Sequence, residues 1–351
     1  MARLFKRRCL TNLFITILLL QVAFVFLWHL RQKVINFIKA AEQDEWQDVI
    51  KRYPPKPQGY AKVPQHGVMK LADQRHLGDF GQNLEKVMGL LIGDPFTLDP
   101  NEYLSVPERK PFDLHCDTCS VVSSAGRLLL QDAGKEIDNA TCVIRMNTSP
   151  IQGYEKHVGE RTTIRVASFK AIDFLRTQGS LLEGPGRPKN FIVWAPSNLL
   201  SFTDEGVGIG KTYGQLVNLA KKNGDIGVYA LTERQLEFVE VLFQRETGYS
   251  RHASGSWIST GFFSIILAVN ICDDIRIYGM VPPDHCKNDF VNDTVPFHYY
   301  KPEGYRECAM YRSQEGKRLG GHRYISEKDV FKKWKLTKRL QFLYPTWDDT
   351  D

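Results

Sequence analysis

Two short turns carry residue types that can hold an anion. Ser123-Ser124-Ala125-Gly126 sets small side chains beside a glycine, which lets a ligand approach the backbone closely. Ser259-Thr260-Gly261 stands at the head of the apolar run 262–270, where a helix would point its first N–H groups and the positive end of its dipole at a phosphate or carboxylate. A Ser-Thr-Gly start is also an ordinary helix cap, so neither turn names its ligand. Other chemistries are poorly served. Cys116-x-x-Cys119 has the spacing of a zinc or thioredoxin-type pair, yet no second CxxC and no HxxxH stands at ligand spacing, and no metal is expected. No Gly-x-Ser-x-Gly elbow occurs, and the serines at 123 and 124 are wrongly spaced for one, which argues against a serine hydrolase.

The elements that must position these turns follow from hydrophobic periodicity. Short β-rich runs at Ser120-Val121-Val122, Cys142-Val143-Ile144-Arg145-Met146, Thr163-Ile164-Arg165-Val166-Ala167, Phe191-Ile192-Val193-Trp194 and Ile275-Arg276-Ile277-Tyr278 read as buried strands. Helical stretches alternate with them, notably residues 233–245, which open with Thr232 and Gln235 in capping-box spacing and close before Gly248. Alternating strand and helix predicts an α/β fold around a mostly parallel sheet, in which ligands collect beyond the carboxyl ends of the strands. With 42% apolar and 25% charged residues among 351, the chain can bury one large core or two modest ones. No internal repeat or low-complexity tract interrupts it.

The N-terminus bears on compartment. Residues 13–30 are apolar except for Thr16, Gln21 and His29, and as a helix they would span roughly 27 Å, enough for a thin secretory-pathway bilayer. Arg3, Lys6, Arg7 and Arg8 precede this segment, whereas the far side turns acidic at Glu42, Asp44 and Glu45, so residues 1–12 are expected in the cytosol and the body in the lumen. A cleaved signal peptide is the alternative, but its apolar region would be longer than the usual ~7–15 residues. Residues 31–110 read as a stem, with Pro54-Pro55-Lys56-Pro57 and one amphipathic helix bearing Leu84, Val87, Met88 and Leu91, and residues 111–351 as the folded domain. Six of the seven cysteines follow the apolar segment, which allows up to three disulfides of undetermined pairing in an oxidising lumen. Sequons at Asn139 and Asn292 suit the same compartment. The net charge of +6 lacks the basic runs with interleaved aromatics that mark nucleic-acid binding, so no nucleic acid partner is expected.

Set in order, these segments resemble the eukaryotic sialyltransferases. Cys119-Ser-Val-Val-Ser-Ser-Ala-Gly126, continuing through Glu136-Ile-Asp138, Arg145-Met-Asn147, Pro150, Gly153-Tyr154 and Val158-Gly159, is similar to the family's large motif. Ser259-Thr-Gly261 through Cys272-Asp273 and Ile277-Tyr-Gly279 is similar to the small motif, His298-Tyr-Tyr300 to the third, and His322-Arg-Tyr-Ile-Ser-Glu327 to the very small motif. Trp257-Ile-Ser-Thr-Gly261, Tyr278-Gly-Met-Val-Pro-Pro283, His298-Tyr-Tyr-Lys-Pro302 and Gly321-His-Arg-Tyr-Ile-Ser-Glu-Lys328 resemble the N-acetylgalactosaminide α2,6-sialyltransferases that act on sialylated Gal-GalNAc cores.

The resemblance implies a Rossmann-like glycosyltransferase domain of variant GT-A type, carried on a single-pass type II Golgi membrane anchor. It implies transfer of sialic acid from CMP-sialic acid to the 6-hydroxyl of GalNAc on a glycoprotein or ganglioside, with no cofactor beyond the donor. Ser124, Asn147, Ser168, Trp257, Ser259, Thr260 and Gly261 would line the donor site with Tyr299 and Tyr300. His322 would be the general base and a protonated His298 would offset the departing phosphate. The family's shared disulfide falls on Cys119 and Cys272. Asp-x-Asp, the mark of metal-dependent sugar transfer, occurs only as Asp349-Thr-Asp351 at the extreme C-terminus, where a frayed tail is expected. The competing reading is a noncatalytic sugar-binding ectodomain on the same fold, against which the presence of both histidines argues.

Overall fold

The computed structural model describes Phe96, Asp99 and residues 101–351, apart from 178–180, 185, 203–207, 288–293 and 348–351. The tail at 1–12, the apolar segment 13–30, nearly all of the stem, Asn292 and the C-terminal Asp-x-Asp lie outside the described residues. Among the described residues no helix is long and apolar enough to cross a membrane.

Ten strands occur in chain order: β1 Tyr103–Ser105, β2 Cys116–Val122, β3 Cys142–Met146, β4 Ile164–Ser168, β5 Asn190–Trp194, β6 Ser201–Phe202, β7 Gly208–Ile209, β8 Gly227–Leu231, β9 Cys272–Tyr278 and β10 Leu340–Leu343. Eight form one sheet in the order β1-β8-β5-β4-β3-β2-β9-β10, and β6 and β7 make a separate two-stranded ribbon. Every neighbour pair in the large sheet is parallel except β1 with β8. The order runs β2, β3, β4, β5 outward in one direction and β9, β10 in the other, so β2 and β9 flank the point where the sheet reverses. Crevices at such a reversal are where open α/β sheets take ligands.

Both faces of the sheet are covered, which is why its strands read as nearly unbroken apolar runs. All five residues of β3 are buried. One face, with Val121, Ile144, Val166 and Ile192, packs beneath the helix Thr260–Ile271 and the aromatic cluster of Phe243, Phe262, Phe331 and Trp334. The Phe262 ring lies 5.5 Å from both Phe331 and Trp334. The opposite face buries Phe191, Val193, Val228 and Ala230 under Ile172 and Leu216, and Val122, Val143 and Tyr278 against Ile137, Val158 and Tyr299. The helix Thr260–Ile271 is apolar all round because it is enclosed, not lying at the surface. The helix Glu233–Thr247 begins and ends as its caps dictate: Thr232 accepts from the Gln235 N–H at 3.1 Å, and Gly248 closes it at a φ of 74°.

The observed sheet extends the expectation in two places. It begins at Tyr103, within the segment assigned to the stem, because the three residues of β1 bond to β8 and are too short to show a period. β10 follows the helix Tyr324–Thr337 and pairs with β9 on the far side of β2. Three disulfides staple the domain: Cys119 to Cys272, as the family resemblance implied, together with Cys116 to Cys142 and Cys286 to Cys308, which sequence had left open. Each half of the CxxC is thus oxidised to a different partner, which removes both thiolates from metal or redox chemistry.

These loops differ greatly in length, 153 residues for Cys119–Cys272 against 26 and 22 for the others. In the chain-entropy account that corresponds to about 5 kcal/mol for the long loop and about 3.5 kcal/mol for each short one. Cys119→Ser should therefore lower the denaturant midpoint of the full-length chain more than Cys286→Ser does. A nonreducing peptide map should return these three linked pairs and leave Cys9 unlinked to them.

Candidate active site

The residues singled out in sequence converge on the carboxyl edge of the sheet. Ser123 follows β2 directly, and its N–H bonds the Tyr278 carbonyl at 3.1 Å, tying the first turn to the end of β9. Gly126 packs so tightly that a Cβ there would stand 2.2 Å from the Pro296 oxygen, which explains why this turn needs a glycine. Asn147 follows β3 with a φ of 45°. Its side-chain oxygen accepts from the Ser168 N–H at 3.0 Å, at the end of β4, and from the Thr260 hydroxyl at 3.3 Å, at the start of the central helix. Trp194, ending β5, donates its indole N–H to the same hydroxyl at 3.2 Å. The asparagine side chain therefore joins two strand ends to a helix N-terminus, and the Thr260 hydroxyl adds a third. At Gly261 a Cβ would stand in tight contact with Ser259 Oγ at 3.3 Å, with Met146 Sδ at 3.9 Å beyond it, so the glycine keeps this helix start uncrowded.

The second group is built around His322. Residues 257 and 322 form a parallel bridge, with the Trp257 N–H on the Gly321 carbonyl and His322 Nδ1 2.9 Å from the Trp257 carbonyl. A carbonyl can only accept, so Nδ1 carries the ring proton and Nε2 keeps its lone pair. Burial lowers the pKa of this imidazole, with the Trp257 bond acting in the opposite sense, so the ring is neutral near neutral pH. Two residues on, Tyr324 opens a helix whose first turn is capped from outside: the Glu315 carboxylate accepts from the Ile325 N–H at 2.8 Å and the Ser326 hydroxyl at 2.5 Å. That helix carries Glu327, buried at 2% exposure, and both its oxygens meet Ser259, one through the backbone N–H at 2.8 Å and one through the hydroxyl. Glu327 thus fastens the segment bearing His322 to the helix cap beside Asn147.

His298 stands opposite in a strand-free segment held by the Tyr299 N–H on the Ser124 carbonyl at 3.0 Å. Burial pushes its pKa down to about 4, although the Ser124 backbone alongside works against this and Lys301 adds to it. The ligand-free ring is therefore neutral, where the resemblance had suggested an imidazolium. The ring stacks on Tyr300 at 5.1 Å. It also touches Phe297 at 4.5 Å, which meets Tyr324 at 5.8 Å, and Tyr324 stacks on His322 at 5.1 Å. An unbroken chain of rings joins the two histidines. Tyr299 is a different case from Tyr300: only 1% exposed, with its hydroxyl on the Pro150 carbonyl, it props the turn after Asn147 from beneath and does not face a ligand.

Residues 82–338 match glycosyltransferase family 29 (sialyltransferase). The chain belongs to that family. It is 38% identical over 254 residues to the human alpha-N-acetyl-neuraminyl-2,3-beta-galactosyl-1,3-N-acetyl-galactosaminide alpha-2,6-sialyltransferase, covering 72% of this chain and 82% of that one. To the human alpha-N-acetylgalactosaminide alpha-2,6-sialyltransferase 3 it is 36% identical over 245 residues, 70% of this chain and 78% of the other. A crystal structure of a mammalian sialyltransferase aligns with a TM-score of 0.41 and 17% identity, over 76% of this chain and 79% of that one.

In this sialyltransferase-family chain hydrogen bonds join Asn147, Ser168 and Thr260, with Ser259 and Gly261 on either side of Thr260, while Ser124 holds the segment bearing His298. Trp257 belongs to the group by its backbone. Its ring lies 5.1 Å beneath the Arg251 guanidinium and lines a cleft with Trp194, Leu236 and Phe263, to the side of the asparagine cluster. Asn139 is exposed at the end of the helix Gly134–Asp138, open to a glycan. Sequence reasoning missed Trp194, which reads as one more apolar residue ending a strand, and two buried arginines considered below.

Two outcomes follow. Gly261→Ala sets the helix preference of alanine, up to ~1 kcal/mol, against the 3.3 Å contact with Ser259 Oγ, so the melting temperature of the full-length chain should change little. The same change should weaken nucleotide binding, because the methyl group occupies the space above the helix start. Glu327 has its pKa pushed up to about 8, burial outweighing the Ser259 hydrogen bonds. The folded state then holds one more proton than the unfolded state between the ordinary carboxyl range and about pH 8, so this group's contribution to stability falls as pH rises through that window. Glu327→Gln cannot ionise, and the stability difference between it and the wild type should shift in its favour by on the order of 1 kcal/mol per pH unit on going from pH 5 to 8.

Proposed function

We propose that this protein is a Golgi-membrane sialyltransferase that moves sialic acid from CMP-sialic acid to the 6-hydroxyl of GalNAc in an already sialylated Gal-GalNAc acceptor. The observation that carries this reading is His322, a buried neutral imidazole whose Nδ1 proton is committed to a carbonyl and whose Nε2 is left as a base, placed one strap away from an anion-type helix start. The α2,6 linkage and the GalNAc acceptor are supported by the names of the relatives, two of which include the sialylated galactose. The apolar segment 13–30 with its leading basic residues supports a type II anchor and a lumenal domain.

Each part of the displacement has a group to serve it. Nε2 of His322 takes the proton of the acceptor hydroxyl as its oxygen attacks the anomeric carbon of the sialic acid, and the bond to the phosphate breaks with its electron pair leaving on CMP. Attack opposite the leaving group inverts the β-linked donor to an α-linked product. The phosphate is received by the N–H groups at the start of the helix Thr260–Ile271, fixed dipoles that need no reorganisation. His298 donates a ring N–H to the same phosphate. Its low pKa comes from burial, and two negative charges beside it favour the imidazolium. The route uses no metal ion, the phosphate charge being met by these donors.

The test is transfer by the full-length chain from CMP-sialic acid to a panel of bare and sialylated Gal-GalNAc acceptors, with linkage read by mass spectrometry. Transfer should be fastest to the sialylated acceptor, should give an α2,6 linkage on GalNAc, and should survive EDTA. His322→Ala should lower turnover by ~10²–10⁴ while leaving CMP binding near wild type. His298→Ala should slow turnover and weaken CMP binding together, and the His298 resonance should titrate at higher pH in the presence of CMP than without it. Equal transfer to bare GalNAc peptide, loss of activity on chelation restored by manganese, or a His322→Ala variant with more than about a tenth of the turnover would each overturn the corresponding part.

A further inference from the structure

Two arginines stand side by side in the middle of the sheet. Arg145 in β3 and Arg165 in β4 are partners in the parallel ladder, and their side chains are 1% and 0% exposed. Parallel partners in register project from the same face, here the face turned away from the helix Thr260–Ile271 and toward Tyr299. Arg145 donates to the carbonyls of Arg161 at 2.9 Å and Val158 at 2.7 Å and to the Thr162 hydroxyl at 3.2 Å. Arg165 donates from one nitrogen to the carbonyls of Asn147 at 2.9 Å and Ser149 at 3.0 Å. Every one of these acceptors is uncharged. One Arg145 nitrogen and two Arg165 nitrogens are buried with no hydrogen-bond partner.

No ion pair to either arginine is found among the described residues. Asp138 acts on Arg145 from a distance, whereas the ionisable groups felt by Arg165 are Arg145, which repels it, and the phenols of Tyr299 and Tyr300. Burial lowers both guanidinium pKa values to about 10, which leaves both charged at any pH the protein meets. Two like charges, desolvated and without a counter-ion, are a costly thing to keep in a core, and removing water without supplying an anion is normally avoided. Their position gives the reason. Arg165 holds the backbone oxygen of Asn147, the residue whose side chain joins Ser168 to Thr260 at the edge where the donor phosphate is placed.

We propose that Arg165, backed by Arg145, is a positioning residue of the donor site that supplies the buried positive charge a phosphate-bearing nucleotide completes, so that the site selects a nucleotide over the uncharged nucleoside. The inference rests on the reading that this edge takes CMP-sialic acid. Arg165 does two things at once. Its two carbonyl bonds hold the turn after β3 in place, and its charge, acting through a low-dielectric interior, raises the potential at that turn for an anion arriving from solvent. The first role would serve any ligand alike, and the second distinguishes ligands by charge.

That difference is the basis of the experiment. CMP and cytidine are titrated against the full-length wild-type chain, Arg165→Met and Arg165→Lys, with melting temperatures measured alongside. The wild type should bind CMP more tightly than cytidine. Arg165→Met should lose on the order of tenfold or more of that preference, through weaker CMP binding with cytidine little changed. Arg165→Lys keeps the charge but not the paired carbonyl contact, so it should weaken both ligands together and retain the preference. Equal loss of CMP and cytidine in Arg165→Met would make the arginine a turn anchor only and overturn the proposal. If Arg165→Met does not fold, the lysine variant decides: a retained preference supports the charge, and a lost one overturns it. Failure of the wild type to bind either ligand would overturn the nucleotide reading of the edge and this inference with it.

Discussion

The pairing of β2 with β9 is the constraint on which the rest of the site depends. These strands lie about 150 residues apart in sequence, yet they are neighbours in register, with Val121 opposite Ile277 and Val122 opposite Tyr278. Cys119–Cys272 fastens the helix-to-strand junction before β9 to the same strand. Because β9 continues directly from the helix Thr260–Ile271, placing it beside β2 also brings the amino end of that helix over β3 and β4, where Asn147 and Ser168 emerge. At the same carboxyl edge of the sheet, Gly279 lies against Ser123 and Leu128 at a φ of 78°, so close that a Cβ would approach both to 2.8 Å. One strand pairing thus sets the first turn, the helix start and the asparagine between them in a single geometry. A disulfide that limits the unfolded chain is most effective across a loop this long, which is why the covalent link falls here.

Burial then sets the chemistry of what is gathered. His298, His322 and Glu327 all have their pKa values moved chiefly by desolvation, and each moves toward its neutral form. On the proposed reading this suits His322, since a base must be unprotonated and its tautomer fixed before the acceptor arrives. For Glu327 it lets a carboxyl group serve as a strut between Ser259 and the segment bearing His322 without placing a negative charge beside an anion site. On the proposed reading, a phosphate beside His298 offsets the burial that holds its ring neutral, and the donor's charge reorganises the protonation of these groups.

Much of this was legible in sequence, and what was not has physical reasons. The five strands expected from apolar runs all formed, because strands covered on both faces need no polar alternation and read as continuous hydrophobic stretches. The cap pairs at Thr232 with Gln235 and at Ser259 were legible because a side chain and an N–H three residues on must meet. β1 and β10 escaped, the first for its three residues and the second because its Gln341 and the exposed residue before it break the apolar run. The cap of the helix Tyr324–Thr337 could not be read locally at all, since it comes from Glu315 on another helix. Tyr299 and Tyr300 look equivalent in sequence and their rings touch at 5.2 Å, but the Tyr299 hydroxyl is buried on the Pro150 carbonyl while the Tyr300 ring stacks on His298. The pairing of Cys116, Cys142, Cys286 and Cys308 depends on register and loop closure between elements, which no local spacing records.

The arginines in β3 and β4 were visible as a single cation in each of two otherwise apolar strands, an arrangement that local patterning treats as a fault. The structure shows why a fault of this kind is retained. Replacing Arg165 with an apolar residue of similar size would remove a buried charge and, by the ordinary energetics of cores, could stabilise the sheet. It would also free the carbonyls of Asn147 and Ser149 and take away one of the two buried charges on that side of the donor edge. The helix start on one face of the sheet and the guanidinium pair on the other bracket the same strand ends, so an anion placed there is met by positive potential from both sides. Neither source is mobile, and neither depends on pH in the range where the two histidines titrate. Histidines that burial holds neutral do not attract an anion by charge, and the sheet supplies a fixed charge from within.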